Sequence, residues 1–413
     1  MWNLVAVGAF TAIVAVLAVY TSIAYWGNTD FRTTAYYPAH ALLHGLNPYD
    51  ATTYLAAHPD ANPFPPFAPL TLVLYAPLAL CPLPVASALW FAATVAATLL
   101  LALFVLRRAG VTPRPSTVCG VATLTLMSRP GEWNITLGQQ TMPIVLGSYA
   151  ALVLAEHRPL LAALGLAIAT CKPQFGVPLA VLVAAAGRLA VAVGGLAVSG
   201  VVSLAVLALM PSAAGYGPVG TFLNALSATN DRINGRATVW WTQIDLPYLL
   251  HQIFGEQPST PVTVVAGLAV FLVGVALVHR LARRAWPGDL ELQIGITCLT
   301  MLLCIYHQIY DALLLALPLT LAVTGRDRAP WRDHGVVRLA IVALIAVPAV
   351  NYVVTWSILD RLGITGGWWR ATTAWNATML LIAWTLYVAL GLAARPSVAG
   401  RMRFVRDAGV KIR

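Results

Sequence analysis

The 413 residues are 59% hydrophobic and only 10% charged, against about 25% charged in a typical soluble domain, which excludes a water-soluble protein of this size. The formal net charge is +10, but the basic residues fall in short runs beside apolar stretches. That distribution excludes nucleic acid as the partner and matches the positive-inside pattern of a chain that holds anionic lipid headgroups. Cys81, Cys119, Cys171, Cys298 and Cys304 sit inside apolar segments without metal-ligand spacing, so they read as small buried hydrophobes.

Residues 4–24, 85–106, 189–209, 262–278 and 374–394 carry no charge. At about 1.5 Å per residue, four of them reach the roughly 30 Å of a hydrocarbon core, and 262–278 stands at the short end of the range for a span. The first is read as a span and not as a removable signal, because it lacks a basic leader and a small-residue cleavage site. The expected fold is all-α and polytopic, a single integral membrane domain over 1–413 with roughly ten to twelve transmembrane helices.

Basic runs at 107–114, 280–284, 326–332 and 395–413, taken as cytoplasmic, set the alternation. The long loops 25–66 and 210–246 then fall outside, as do 129–140, 172–174, 307–311 and 359–370, and the tail 395–413 falls inside. Residues 67–106 hold apolar length for two crossings where the alternation allows an odd number. Pro69, Pro77, Pro82 and Pro84 break their first part, so 67–80 reads as a re-entrant or interfacial helix. Stretches 118–128, 160–171 and 175–186 are too short for full crossings and fit the wall of a cavity.

Asp30 follows the first span by a few residues. A carboxylate at the membrane–water boundary is partly desolvated and becomes a stronger base, able to take a proton from a hydroxyl. Asp30-Phe31-Arg32-Thr33 is also good N-capping grammar, and the two roles are compatible. Asp50 reads as a turn or cap residue, and Gly45 and Pro48 as the end of a short helix.

An ordered set of motifs carries a resemblance. Asp30-Phe31-(x)4-Tyr36-Tyr37, Gly45-Leu46-Asn47-Pro48-Tyr49-Asp50, Phe64-Pro65-Pro66-Phe67-Ala68-Pro69-Leu70 and the proline-rich run 76–84 resemble glycosyltransferase family 87. So do Leu137-Gly138-Gln139-Gln140-Thr141 and the small-residue stretch 167–173, which ends Cys171-Lys172-Pro173. The chain departs from the family pattern at Thr141, where many members place asparagine. It departs again at Tyr306-His307-Gln308-Ile309-Tyr310-Asp311, which replaces a Trp-His-His-like segment.

The resemblance implies a C-type, inverting transferase that takes mannose or arabinofuranose from a polyprenyl-phosphate sugar, as the actinobacterial phosphatidylinositol mannoside and lipoarabinomannan mannosyltransferases do. It implies Asp30 as the base, a glycolipid or polysaccharide acceptor, and a site on the outer face of the cytoplasmic membrane. Besides donor and acceptor, the expected partners are membrane lipids, and the chain is expected to be a monomer without cofactor.

The residues add their own reading. Lys172, one of two lysines, stands between apolar segments where an ammonium needs an anion or snorkels to the surface. Arg129, Gln139, Gln140 and His307 are further candidates for a donor phosphate, with Asp311 placed to orient His307. Tyr37 and Trp241, with the loop 230–245 and Trp368-Trp369-Arg370, offer sugar-binding or interfacial aromatic surfaces. No paired carboxylates at Asp-x-Asp spacing occur in an outer loop, so transfer without a metal is expected. The competing readings are a transporter or lipid flippase without covalent chemistry, and a sugar-polymer ligase or polymerase.

Overall fold

The computed structural model describes residues 2–23, 28–213, 215–236, 242–255, 259–284 and 288–393, with backbone alone at 2, 229–236, 356 and 357. Trp241 and the basic tail lie outside the described residues.

The described chain is built of helices, joined only by isolated bridges at Ala213–Tyr216 and Gln243–Gln308. Helix α1 (Trp2–Ile23) is followed by α2 (Thr29–Phe31), a π-helical turn (Arg32–Tyr36), α3 (Tyr37–Leu43), α4 (Ala51–Ala57) and α5 (Leu70–Ala79). Then come α6 (Leu83–Arg108), α7 (Pro115–Met127), α8 (Arg129–Leu137), α9 (Thr141–Val153), α10 (Pro159–Ala169), α11 (Pro173–Ala185) and α12 (Leu189–Leu209). The second half holds α13 (Pro218–Arg236), α14 (Leu246–Phe254), α15 (Thr260–Ala282), α16 (Asp289–Cys304), a 3-10 turn (Ile309–Leu315) and α17 (Ala316–Thr324). A short 3-10 turn (Trp331–Asp333), α18 (Gly335–Val350), α19 (Trp356–Arg361) and α20 (Gly366–Ala393) complete it.

Among the described residues, five helices are long and apolar enough to cross a membrane: α1, α6, α12, α15 and α20. The expected all-α polytopic fold therefore holds, with a difference in how the bilayer is filled. Seven further apolar helices run only 10–17 residues, or roughly 15–25 Å, less than a full hydrocarbon core. The long helices turn apolar side chains outward, with Leu4 79%, Leu209 81% and Val265 65% exposed, as a lipid-facing surface requires. The shorter α9, α11 and α16 supply much of the buried core.

Proline sets where the short helices begin. Arg114-Pro115, Arg158-Pro159 and Lys172-Pro173 each place proline at the first helical position, where its missing N–H costs nothing. The 10-residue α5 begins after Pro69 and carries Pro77 inside. It is about 15 Å long, half a crossing.

Glycine lets α9 and α10 touch. A Cβ on Gly165 would lie 2.6 Å from the Gly147 carbonyl oxygen and 2.8 Å from the Ala150 Cβ. This close approach of backbones is how helices gain packing in lipid. Gly165→Val is expected to force them apart, costing about 1–3 kcal/mol and lowering the unfolding temperature in detergent; an unchanged melting curve would show that the crossing is not tight.

The bundle has two polar ends. Near the start of α6, the Trp90 indole donates to the Gly138 carbonyl at 3.1 Å. At its other end, the Arg328 guanidinium crowds Gly110, and nearby loops carry the Arg188–Glu156 ion pair at 2.8 Å. A helix of 26 residues separates the two ends by about 39 Å.

Candidate active site

The first loop is pinned before it turns. Asn28 adopts the left-handed conformation (φ 55°) and donates its N–H to the Thr136 carbonyl at 2.9 Å. Asn28, not Asp30, stands at the N-cap of α2, so Asp30 lies inside the helix and its carboxylate is free to point elsewhere. The π-helical turn follows at once, a departure from regular helix that recurs at functional sites.

The carboxylate is met by Gln139. Helix α8 ends at Gly138 in the left-handed conformation (φ 70°), where a Cβ would fall 2.6 Å from the Phe31 Cβ. Glycine is needed there twice, for the backbone angle and for the contact. The turn delivers the Gln139 side chain, whose Nε2 donates to Asp30 Oδ2. Its Oε1 accepts from the Lys172 ammonium at 3.4 Å. One amide thus bridges an acid on the first loop and a cation 33 residues further on.

Lys172 is 2% exposed, which rules out the snorkelling anchor weighed from the sequence. Its anionic partner is internal: Nζ lies 3.2 Å from Asp311 Oδ1 and 2.9 Å from Thr141 Oγ1, with the Tyr310 ring 4.7 Å away. Thr141 also donates to Asp311 Oδ1 at 3.0 Å. The other Asp311 oxygen takes His307 Nδ1 at 3.0 Å and the Gln308 N–H at 3.2 Å. The fully buried His307 ring stands edge-on to Phe175 at 4.7 Å, and its Nε2 has no hydrogen-bond partner among the described residues. An orphaned buried imidazole nitrogen is costly and marks a place where another group can dock.

Asp245 completes the network. It caps α14 through Oδ1 to the Tyr248 N–H at 2.9 Å, and Oδ2 accepts the His307 N–H at 3.1 Å. Ile244 N donates to the His307 carbonyl at 3.0 Å, and Ile309 N to Thr242 at 2.8 Å. The end of the second long loop is therefore stitched to the histidine segment. The sequence reading did not assign Asp245 this role, although Asp245-Leu246-Pro247-Tyr248 carries the N-cap signal.

Electrostatics sets the carboxylates apart. Burial among protein atoms pushes Asp30 up to about 6 from an ordinary 3.8, while the Gln139 hydrogen bond and the Lys172 charge pull the other way. Part of Asp30 stays open to solvent, unlike Lys172, His307 and Asp311. Burial likewise lifts Asp245 to about 6, opposed by its hydrogen bonds from the Tyr248 and His307 backbones. A half-open carboxylate poised near neutrality, beside a fixed amide and a buried ammonium, is suited to accepting a proton.

Other sequence-selected residues lie apart from this network. Arg129 pairs with Glu132 at 2.8 Å and Thr355 at 2.9 Å, stacked on Trp133. Gln140 donates to the Thr34 carbonyl and hydroxyl at 2.8 and 3.0 Å, bracing the π-helical turn. Tyr37 stacks on His58 at 5.0 Å among the histidines of α3 and α4. Trp368 is 78% exposed at the start of α20, as an interfacial aromatic would be. No cluster of three metal-ligating side chains occurs among the described residues.

Long apolar helices around a carboxylate–amide–ammonium network define a multi-pass membrane protein with a polar cluster among its helix ends. The family model for glycosyltransferase family 87 matches residues 64–306, more than half of the sequence. The chain belongs to that family and is a membrane glycosyltransferase. Gln139, Lys172 and Asp245 fall within the matched residues, whereas Asp30, His307 and Asp311 fall outside them. No curated protein and no solved structure matches the chain.

Proposed function

We propose that the chain transfers a sugar, mannose or arabinofuranose, from a polyprenyl-phosphate donor to a glycolipid or polysaccharide acceptor, with inversion, at the outer face of the cytoplasmic membrane. The observation that carries this is the Gln139 bridge. It holds the Asp30 carboxylate and the Lys172 ammonium within the span of one side-chain amide. A displacement at an anomeric carbon needs this polarity: a base on one side and positive charge on the other.

Asp30 takes the proton of the acceptor hydroxyl as that oxygen attacks the anomeric carbon. The bond from that carbon to the phosphate oxygen breaks, and the lipid phosphate leaves as an anion. Lys172 stands at the N-terminus of α11, where the helix dipole adds to its charge. Asp311 and Thr141 keep the ammonium in place, and His307, whose Nδ1–H is given to Asp311, donates an Nε2–H to the leaving phosphate in its imidazolium form. Preorganised charge of this kind needs no reorganisation during the reaction. No residue in this sequence of steps requires a metal.

The sidedness rests on the basic runs. Segments carrying Asp30, Gln139, Lys172, Asp245 and His307 all take one side in the positive-inside alternation, and their side chains meet at one end of the bundle. That concentration favours a transferase over an alternating-access carrier, which needs gating groups at both ends.

The test is a pH profile of kcat/KM with a polyprenyl-phosphate sugar. The ionised form of Asp30 is the base, so activity should fall about tenfold per unit below pH 6 and level off above it. Gln139→Leu removes a hydrogen bond that favours the carboxylate, so its acid limb should move to higher pH. A profile flat down to pH 5, or a limb unmoved by Gln139→Leu, would remove Asp30 from the base role.

A further inference from the structure

The two long loops meet in a cleft away from the Asp30 network. Asn47 ties them together, its Nδ2 donating to the Pro211 carbonyl at 3.1 Å. Tyr49 is fixed between Phe64 at 5.1 Å and Phe222 at 5.0 Å, with its hydroxyl donating to the Phe67 carbonyl at 2.7 Å. These contacts leave a hollow of about 200 Å³, lined among others by Tyr49, Asp50, Thr52, Phe64, Tyr216 and Asn224. That is the space of about seven water molecules, which one sugar ring fills.

The lining has mixed chemistry. Tyr216 lines the hollow and is 54% exposed. Asp50 is held as the cap of α4, with Oδ1 accepting from Thr52 N at 3.2 Å and Oδ2 from the Thr53 hydroxyl at 2.5 Å. Each carboxylate oxygen keeps a second lone pair, so the fixed group can still accept from a hydroxyl. Thr221, Asn224, Ala225 and Ala228 recur at helical spacing along one face of α13 and form the opposite wall. Small side chains there leave room, and the exposed Asn224 adds a planar amide. Aromatic faces next to amide and carboxylate groups suit a carbohydrate, whose C–H faces stack while its hydroxyls bond at the rim.

The cleft also lies a short length of chain from Lys172. Phe64 lines it, and Ala68, four residues on, donates its N–H to the Cys171 carbonyl at 3.2 Å, next to Lys172. Four residues reach at most about 14 Å, a length that a few linked sugars span.

We propose that this cleft is a saccharide subsite that holds a distal sugar of the acceptor glycan, so that the enzyme acts on acceptors already several sugars long. The inference rests on the transferase reading above and names its acceptor class. Binding at the subsite adds to acceptor affinity only when the glycan is long enough to reach it.

The experiment has two arms on the full-length purified protein. In the first, binding of gluco-, manno- and arabino-tetrasaccharides is measured without donor, for wild type, Tyr216→Ala and Asn224→Ala. One sugar series should bind wild type, and each variant should weaken it about tenfold, the worth of one stacking or multidentate contact. In the second, kcat/KM is compared between a tetrasaccharide-bearing and a monosaccharide-bearing acceptor. Wild type should prefer the longer acceptor, with that preference reduced about tenfold in the variants and retained in Leu223→Ala, which lies outside the cleft lining.

No tetrasaccharide binding, or a length preference that survives both variants, would overturn the subsite. Failure of wild type to transfer sugar to any acceptor would instead strike the transferase reading, while the binding arm would still judge the cleft.

Discussion

Asp30→Asn is expected to lower the rate of sugar transfer by about 10²–10⁴-fold, the usual contribution of a positioned general base, while the protein stays folded and inserted. The amide keeps the size of the carboxylate and can still accept from Gln139 Nε2, so the first loop keeps its anchor. The substitution should also raise thermal stability at neutral pH. The Asp30 carboxyl goes from 3.8 to about 6 on folding, so ionisation is harder in the folded state. Below the lower value both states are protonated and nothing is lost. Between the two values the unfolded chain ionises first and the folded state loses stability, and above pH 6 the loss is complete. The variant should therefore melt higher than wild type at pH 7–8, with the difference vanishing near pH 4. A variant with wild-type turnover, or one less stable at pH 8, would contradict this account of Asp30.

Lys172→Met carries the second large effect. It would leave Asp311 buried with only His307, Thr141 and the Gln308 N–H as partners. Removing one member of a buried ion pair typically costs about 3–5 kcal/mol. The variant should accordingly unfold at a markedly lower temperature and transfer no sugar. Adding Asp311→Leu removes the stranded carboxylate and should restore part of the stability without restoring turnover. That split between stability and activity would separate the packing role of the pair from its role in the reaction. A Lys172→Met protein as stable as wild type would show that the pair is not closed as described.

What the sequence reveals divides along local and long-range lines. Charge-free runs of 17 to 22 residues declare α1, α6, α12, α15 and α20 directly, because bilayer thickness and helical rise fix their length. The short helices α7, α10 and α11 were legible as the apolar stretches 118–128, 160–171 and 175–186, but the prolines that open them were not read as their starts. Asp30 stood out because few ionisable groups follow the first span, but the cap reading failed when Asn28 took the left-handed position. Its partner Gln139 is 109 residues away, and the partner of Lys172 is 139 residues away; no spacing rule connects such pairs. Arg129 illustrates the converse. Glu132, three residues on, is a local partner readable from helical spacing, and it captures the guanidinium. The two-way bonding of Asp245, to its own helix and to His307, needed the tertiary structure.

The family match covers residues 64–306 and thus the amide and the ammonium of the network. Asp30, the proposed base, lies on the first loop, ahead of the matched span. Its place in the site therefore rests on the Asn28–Thr136 and Asp30–Gln139 contacts, which bind the loop to α8 and to the turn after it.

The most direct test of lipid-phosphate sugar transfer is a reconstitution in liposomes. Purified protein is supplied in parallel with polyprenyl-phosphate mannose, polyprenyl-phosphate arabinofuranose and the corresponding nucleotide sugars, with membrane lipid extract as acceptor. Product glycolipids are read by mass spectrometry. We predict a new glycolipid heavier by one sugar from a polyprenyl-phosphate donor, and none from any nucleotide sugar. Transfer from a nucleotide sugar, with both lipid-phosphate donors left intact, would contradict the account.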